Sequence, residues 1–482
     1  MTAGQQDRSI GSKVGRGALW SLLNNVVLRL GVLVSGIVLA RLLSPSDYGV
    51  FAVALVAMTL LQAFNELGVS LALVRWERDV REFAPTAMTI AVTTSTALYA
   101  VVWFAAPAFC DAMGSPSAVG VLRVLCFAVV LDGIAVVPAT ILNREFMQAR
   151  RFFTDFSSFA VSTSITITLA VGGWGAMSFA IGQIAGNVVS VTVYLILCPV
   201  RVRPGWDPTI AKDLVRFGLP LAASSLLVLS VTNLDKIAIG ALTDEVTLGL
   251  YLMAFNQSSL PLQVFSEAAR RVSLAGFSRL RDDSAQLEQS LARGVGLLMA
   301  ATIPVCALLA CYAQPALSFV YGEKWVPAAQ ALQILAVLGL VRVVLFIGYD
   351  LLVALDGNRV LLGLQALWLA TMLPALLIAT KLDGIRGASL ALLGVAALVV
   401  LPAFIVVLER RGVRLWSTFL ACRRPLLGGA LVVASAFVVR SFVDGSFAQL
   451  AVGGLVAVAV YLPVVSPMRS LLPGRSPVAV AA

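Results

Sequence analysis

GALWSLLNNVVLRLGVLVSGIVLA, from Gly17 to Ala40, is the stretch on which the fold turns. Its 24 residues carry one charge, Arg29. At 1.5 Å rise per residue, a helix of that length covers about 36 Å, more than the roughly 30 Å hydrocarbon core of a bilayer. An arginine in the middle of such a span asks for a reason.

The same pattern recurs along the whole chain. Apolar stretches follow at Asp47–Val74, Ala84–Ala106, Ser117–Leu142, Thr154–Val171, Ala176–Val200 and Lys212–Gly240. Others lie at Leu248–Leu274, Leu287–Tyr312, Val326–Ala354, Val360–Thr380, Gly384–Leu408, Pro425–Phe442 and Gln449–Val465. Composition agrees: apolar residues make up 59% of the chain and charged residues 12%, against soluble norms of about 45–50% and about 25%. No soluble block interrupts the series, so the expected fold is an all-α integral membrane protein with about 14 transmembrane helices.

The connections sort the charges. If the basic segment 1–16 lies on side one, twenty-six Lys and Arg fall on that side and five on side two, namely Arg41, Lys324, Lys381, Arg386 and Arg440. Four charges inside spans are assigned to neither side: Arg29, Arg123, Lys236 and Arg342. By the positive-inside rule, side one is cytoplasmic and both termini lie there. Residues 1–16 resemble the n-region of a secretory signal, but the apolar stretch after them is too long for an h-region and is read as a retained first span. The net charge of +10 is then topology and calls for no nucleic-acid partner. Trp103, Trp206, Trp325 and Trp416 lie near span ends, as interface anchors do.

An internal repeat divides the body. At an offset of 200, RLLSPSDYGVFAVA (Arg41–Ala54) aligns with ALTDEVTLGLYLMA (Ala241–Ala254), pairing Gly49 with Gly249 and Phe51 with Tyr251. At an offset of 210, Leu122, Leu125 and Leu142 pair with Leu332, Leu335 and Leu352. Both put span one on span seven and span four on span ten. The expected organisation is a basic N-terminus 1–16, an N-lobe 17–200, a C-lobe 201–409, two further spans in 410–466, and a cytoplasmic tail 467–482. Parallel repeats of this kind commonly build transporters with a midplane site between the lobes.

Charges within spans are the candidate site, because each costs roughly 2.5–3.5 kcal/mol at a helix centre unless it faces water or a partner. Ser21, Asn25 and Arg29 recur at i, i+4, i+8 on one helix face. Span seven carries a similar set in Ser225, Thr232, Asn233 and Lys236, beside Asp235. A water-filled cavity lined by both is one reading; Arg29 pairing with Asp132, and Lys236 snorkelling outward, is the other. Arg342 and Asp132 occupy equivalent repeat positions, which suits an inter-lobe ion pair as well as a ligand site. Arg123 lies in the outer third of its span. Glu66 and Glu267, near side one, suit a gate or proton coupling.

Several chemistries find no support. Cys110, Cys126, Cys198, Cys306, Cys311 and Cys422 lack metal-site spacing, and the chain has no histidine, so no metal or cofactor is expected. No P-loop is present, which leaves gradients as the energy source. Gly182 and Gly186, spaced as GxxxG, read as close packing within the helical body.

The segment GALW (Gly17–Trp20), with ARLLSPSDYGVF (Ala40–Phe51) and ELGVSLALVR (Glu66–Arg75), resembles the Wzx-type polysaccharide flippases of the multidrug, oligosaccharidyl-lipid and polysaccharide exporter superfamily. NLDKIAIG (Asn233–Gly240), LGLYLMA (Leu248–Ala254) and FSRL (Phe277–Leu280) extend the likeness, which covers Ser12 to Arg411. The resemblance implies a two-lobed, V-shaped body of twelve to fourteen helices. It further implies transport, without catalysis, of undecaprenyl-diphosphate-linked oligosaccharide from the inner to the outer leaflet by alternating access, with polysaccharide assembly partners. It implies a cationic lumen, and it places Arg41, Asp47 and Gly49 in a signature loop where Arg41 and Asp47 set lobe geometry. Arg29 and Lys236, with Arg123 or Arg342, would supply charge-assisted contacts to the diphosphate. Two alternatives are an ion-coupled multidrug exporter, which would want an acidic lumen, and a membrane glycosyl polymerase or ligase, which would want carboxylates or histidines on sizeable outer loops.

Overall fold

The computed structural model describes residues 27–65, 80–145, 147–200, 203–279, 284–355 and 357–471. Among them every regular element is helical. In a bilayer this is what the backbone demands, since a helix satisfies its N–H and C=O groups within one segment.

The long helices are α1 (27–42), α2 (Pro45–Asn65), α3 (Val80–Ala112), α4 (Ala118–Arg144), α5 (Gln148–Val171) and α6 (Met177–Leu197). Then come α7 (Pro208–Thr232), α8 (Leu234–Leu242), α9 (Glu245–Arg279), α10 (Ser284–Cys311) and α11 (Ala329–Ala354). The series ends with α12 (Asn358–Val395), α13 (Leu401–Arg410), α14 (Trp416–Phe442) and α15 (Ser446–Val465). Among the described residues, 9 stretches are long and apolar enough to cross a membrane. One of these, Arg359–Arg410, holds 52 residues and is broken where Asp383 and Gly384 leave helical geometry, Gly384 at φ 49°. That break falls between the expected spans eleven and twelve.

Contacts divide the chain into two compact units, Met1–Gly249 and Leu250–Ala482. In the first, α4 packs on α2, α3 and α6, and α5 lies along α6. Phe83, Ala84, Ala87 and Met88 of α3 meet Val137 and Ile141 of α4 and Leu214 of α7 in one buried cluster. Gly182 and Gly186 bring α6 onto α5: a Cβ on Gly186 would lie 2.8 Å from the Ser162 Cβ, and the Ser158 hydroxyl donates to the Gly186 carbonyl at 2.8 Å. The GxxxG spacing thus serves packing within this unit.

In the second unit, α10 is the central helix, packed on α11 and α14, with α15 against α14. Gly428 and Gly429 make that approach possible: a Cβ on Gly429 would stand 2.5 Å from Ile303, and one on Gly428 would stand 2.8 Å from the Tyr461 ring. Tyr461 also donates to the Ala300 carbonyl at 2.9 Å. The last two helices are therefore built into this unit's core.

The tryptophans divide. Trp206 and Trp416 are well exposed and Trp103 partly so, as interface anchors are, but Trp325 is 0% exposed and fills the core. Trp325 lies in a 3-10 turn (Glu323–Ala328) that leads straight into α11, so the chain folds its ring inward.

Candidate functional site

The two aligned segments, 41–54 and 241–254, hold the starts of α2 and α9. Before α2, Ser44 caps the helix: the Asp47 amide donates to its hydroxyl at 3.2 Å. Asp47 reaches back in turn, accepting from the Ser44 amide at 2.8 Å and the Ser44 hydroxyl at 2.6 Å. This is a capping box, with Pro45 in the first helical position where its missing N–H costs nothing. Two hundred residues on, Asp244 accepts from the Thr247 amide at 2.8 Å. The Thr247 hydroxyl, followed by its amide, holds the Asp244 carboxyl below its ordinary pKa. Asp47 does more than cap its own helix: its second oxygen accepts from the Ala176 amide at 3.1 Å, at the entry to α6.

Between these caps, the first turns of α2 and α9 cross without room for side chains. A Cβ added to Gly49 would overlap the Glu245 carbonyl oxygen, and one added to Gly249 would overlap the Pro45 carbonyl oxygen. Glycine is needed here for close backbone approach.

Glu245 anchors this crossing. Its carboxylate accepts from Ser46 at 2.6 Å, Ser117 at 2.6 Å and Ser115 at 2.9 Å, tying α9 to α2 and to the entry of α4. Burial pushes the Glu245 carboxyl up, but the hydroxyls of Ser117, Ser46 and Ser115 outweigh it and leave the pKa lowered. A lowered folded-state pKa means that the stabilisation is present above the unfolded carboxylate range, near 4.3, and is lost as pH falls through the folded value. Glu245→Gln should therefore cost about 1–3 kcal/mol at neutral pH. It should also remove this group's share of the acid-induced loss, both read as thermal unfolding of the purified protein at several pH values; equal midpoints throughout would refute the role.

Span seven is two helices. The expected single helix from Lys212 to Gly240 breaks at Asn233, which sits at φ −110°, ψ 6° between α7 and α8. Asn233 folds its amide back onto the Leu229 carbonyl at 2.9 Å, and the Thr232 hydroxyl bonds the same carbonyl at 3.0 Å. Ser225, Thr232, Asn233 and Lys236 therefore do not form one continuous helical stripe. Beyond the break, Lys236 and Asp235 are buried together, their side chains 9% and 4% exposed, with Nζ 3.3 Å from Oδ1. Asp235 also accepts from the Lys236 amide at 2.9 Å, so it caps α8 and neutralises the lysine at once. Snorkelling is excluded by that burial. A discontinuous helix with charged groups at the break is a recurring feature of membrane binding sites.

The remaining candidates separate. Arg29 is exposed on α1. Arg123 donates from Nε to the Trp103 carbonyl at 3.1 Å and lies 4.7 Å over the Trp103 ring, so an interface tryptophan holds it. Arg342 lies 5.2 Å over the Phe255 ring in the second unit. Asp132 accepts from Asn187 at 3.2 Å, and Asn187 in turn accepts from Gln183 at 3.1 Å. Arg41 is exposed at the end of α1. Asn25 and Glu66, and the side chain of Glu267, lie outside the described residues. No cluster able to hold a metal ion occurs among the described residues, where all six cysteines are free.

Sequence reading passed over Glu245, Asn187 and Gln183. Glu245 had a usable signal, an acid at the first helical position of an aligned repeat. Asn187 and Gln183 had another, two carboxamides four residues apart in an apolar span.

Fold and site together define a multi-pass membrane protein whose capped helix crossing is built from two aligned segments of the chain. The chain belongs to the polysaccharide biosynthesis protein family, whose model matches residues 38–330. It is 22% identical over 408 residues to the lipopolysaccharide biosynthesis protein WzxC of Escherichia coli K12, covering 83% of this chain and 82% of that one. Its fold resembles a solved structure of the lipid II flippase MurJ in an inward closed conformation, with a TM-score of 0.76 at 15% identity over 94% of this chain and 99% of the other. It also resembles an inward-facing multidrug resistance MATE transporter, with a TM-score of 0.61 at 16% identity over 84% and 94%.

Proposed function

We propose that this chain is a flippase that moves polyprenyl-diphosphate-linked oligosaccharide from the cytoplasmic to the outer leaflet for cell-surface polysaccharide synthesis. The observation that carries this reading is membership in the polysaccharide biosynthesis family over residues 38–330, supported by a fold shared with a lipid flippase along nearly the whole chain. The protein is a multi-pass protein of the cell membrane. Segments 1–16 and 467–482 face the cytoplasm, 17–200 and 201–409 form the two lobes, and 410–466 adds the last two spans. Alternating access exposes a cationic cavity to each side in turn, and Arg29 receives the diphosphate. Arg123 and Arg342, held over aromatic rings, contribute positive potential more than direct contact, whereas Lys236, paired with Asp235, adds little net charge. No catalytic step is assigned to the chain.

The likeness to a MATE transporter favours a second reading, drug export, but that likeness is one of fold, and a cationic span-one arginine is ill suited to cationic drugs. Deletion separates the two. Loss of the chain should make diphosphate-linked oligosaccharide accumulate on the cytoplasmic leaflet, measured by mass spectrometry of extracted lipids with a sidedness assay. If no such lipid builds up, the flippase reading fails.

A further inference from the structure

We infer that α6 carries a sugar-recognition face, formed by Phe179, Gln183 and Asn187 together with Asp132 of α4 and Phe51 of α2, that takes the neutral, hydroxyl-rich part of the cargo. This rests on the flippase reading and adds to it the part of the substrate that charge alone leaves unassigned. Phe179, Gln183 and Asn187 follow at i, i+4, i+8, which sets them on one side of the helix.

The polar groups form a directed chain. Gln183 donates to Asn187 at 3.1 Å, and Asn187 donates to Asp132 at 3.2 Å. Gln183 at the end of this chain is exposed, and Asn187 and Asp132 are half-buried. An exposed carboxamide facing hydrocarbon would cost several kcal/mol in lost hydrogen bonds, so this face meets water or a polar ligand. Its members offer both donors and acceptors side by side, as a vicinal diol requires. One turn along, Phe179 stacks on Phe51 with ring centroids 4.4 Å apart and planes at 21°, and both rings are half-buried. Tyr48 meets Phe179 edge to face at 5.2 Å, so what the half-buried pair offers beside the amides is the part of its apolar surface left uncovered, which suits the C–H side of a pyranose.

Two probes test it on the purified full-length protein: bare undecaprenyl diphosphate, and the oligosaccharide-linked lipid extracted from cells lacking this chain. Wild type should bind the sugar-bearing lipid about tenfold more tightly, the scale of one or two neutral hydrogen bonds. Gln183→Ala and, separately, Phe179→Leu should erase most of that gain; affinity for the bare lipid shows that each variant is folded. A gain that both variants keep would mean that the chain of amides only fastens α6 to α4, and would overturn the proposal. So would wild-type affinity for both lipids with no gain from the sugar. If wild type binds neither lipid, the flippase reading fails with it.

Discussion

Arg29→Ala is expected to stop export of the lipid-linked oligosaccharide while the variant accumulates in the membrane at the wild-type level. Arg29 is exposed on α1, so its truncation opens no hole in the core. On the proposed role, the loss is of charge-assisted contacts to a diphosphate, each worth about 1.5–3 kcal/mol, and two of them would amount to a hundredfold or more in affinity. Surface polysaccharide and lipid-linked precursor, measured in a deletion strain carrying the variant and set beside an immunoblot, report the effect. Arg29→Lys should recover part of the export, because it keeps the charge and gives up the bidentate fork. Full export by the alanine variant would remove Arg29 from the pathway.

Gly49→Val and Gly249→Val should each cost about 3 kcal/mol or more and leave little protein that survives extraction in a folded form. The obstacle in both cases is main chain. A Cβ at position 49 would lie 2.5 Å from the Glu245 carbonyl carbon, and one at position 249 would lie 2.8 Å from the Gly49 nitrogen. A flexible side chain can rotate away from such a clash, but a capped helix terminus cannot. Gly454→Ala is the control, since nothing lies within 4 Å of a Cβ built there. Thermal unfolding in detergent should drop sharply for the two valine variants and hold for the control; three similar midpoints would show that the crossing opens at little cost.

The readings that held rest on local physics. Long apolar stretches become helices because a bilayer leaves the backbone no other partner, and the small faces of Gly182 and Gly186 promise close approach wherever a neighbouring helix happens to lie. The aligned segments at 41–54 and 241–254 were detectable because two glycines must stand where two main chains touch. Other features needed the third dimension. Glu245 takes hydrogen bonds from serines 128 to 199 residues away, and no local pattern announces that. The split at Asn233 hides within an apolar run, because one asparagine is a weak stop signal. Adjacent residues on a helix do not ordinarily face one another, so Asp235 and Lys236 read as separate charges. In the first turn after the break, the Asp235 carboxylate accepts from the Lys236 amide while it meets the ammonium. Trp325 was misplaced for a related reason: nearness to a span end says where a residue sits along the membrane normal, and nothing about whether its ring points to lipid or to core.

The paired caps fill one role with different residues. Spelled in letters, Ser44 and Asp47 disagree with Asp244 and Thr247 at both places; parsed as acceptor and donor, they say the same sentence with acid and alcohol exchanged. Two aligned segments can differ in vocabulary while keeping their grammar. Faintly aligned segments in other membrane proteins would then be easier to hear by comparing the parts that residues play than by matching the residues themselves.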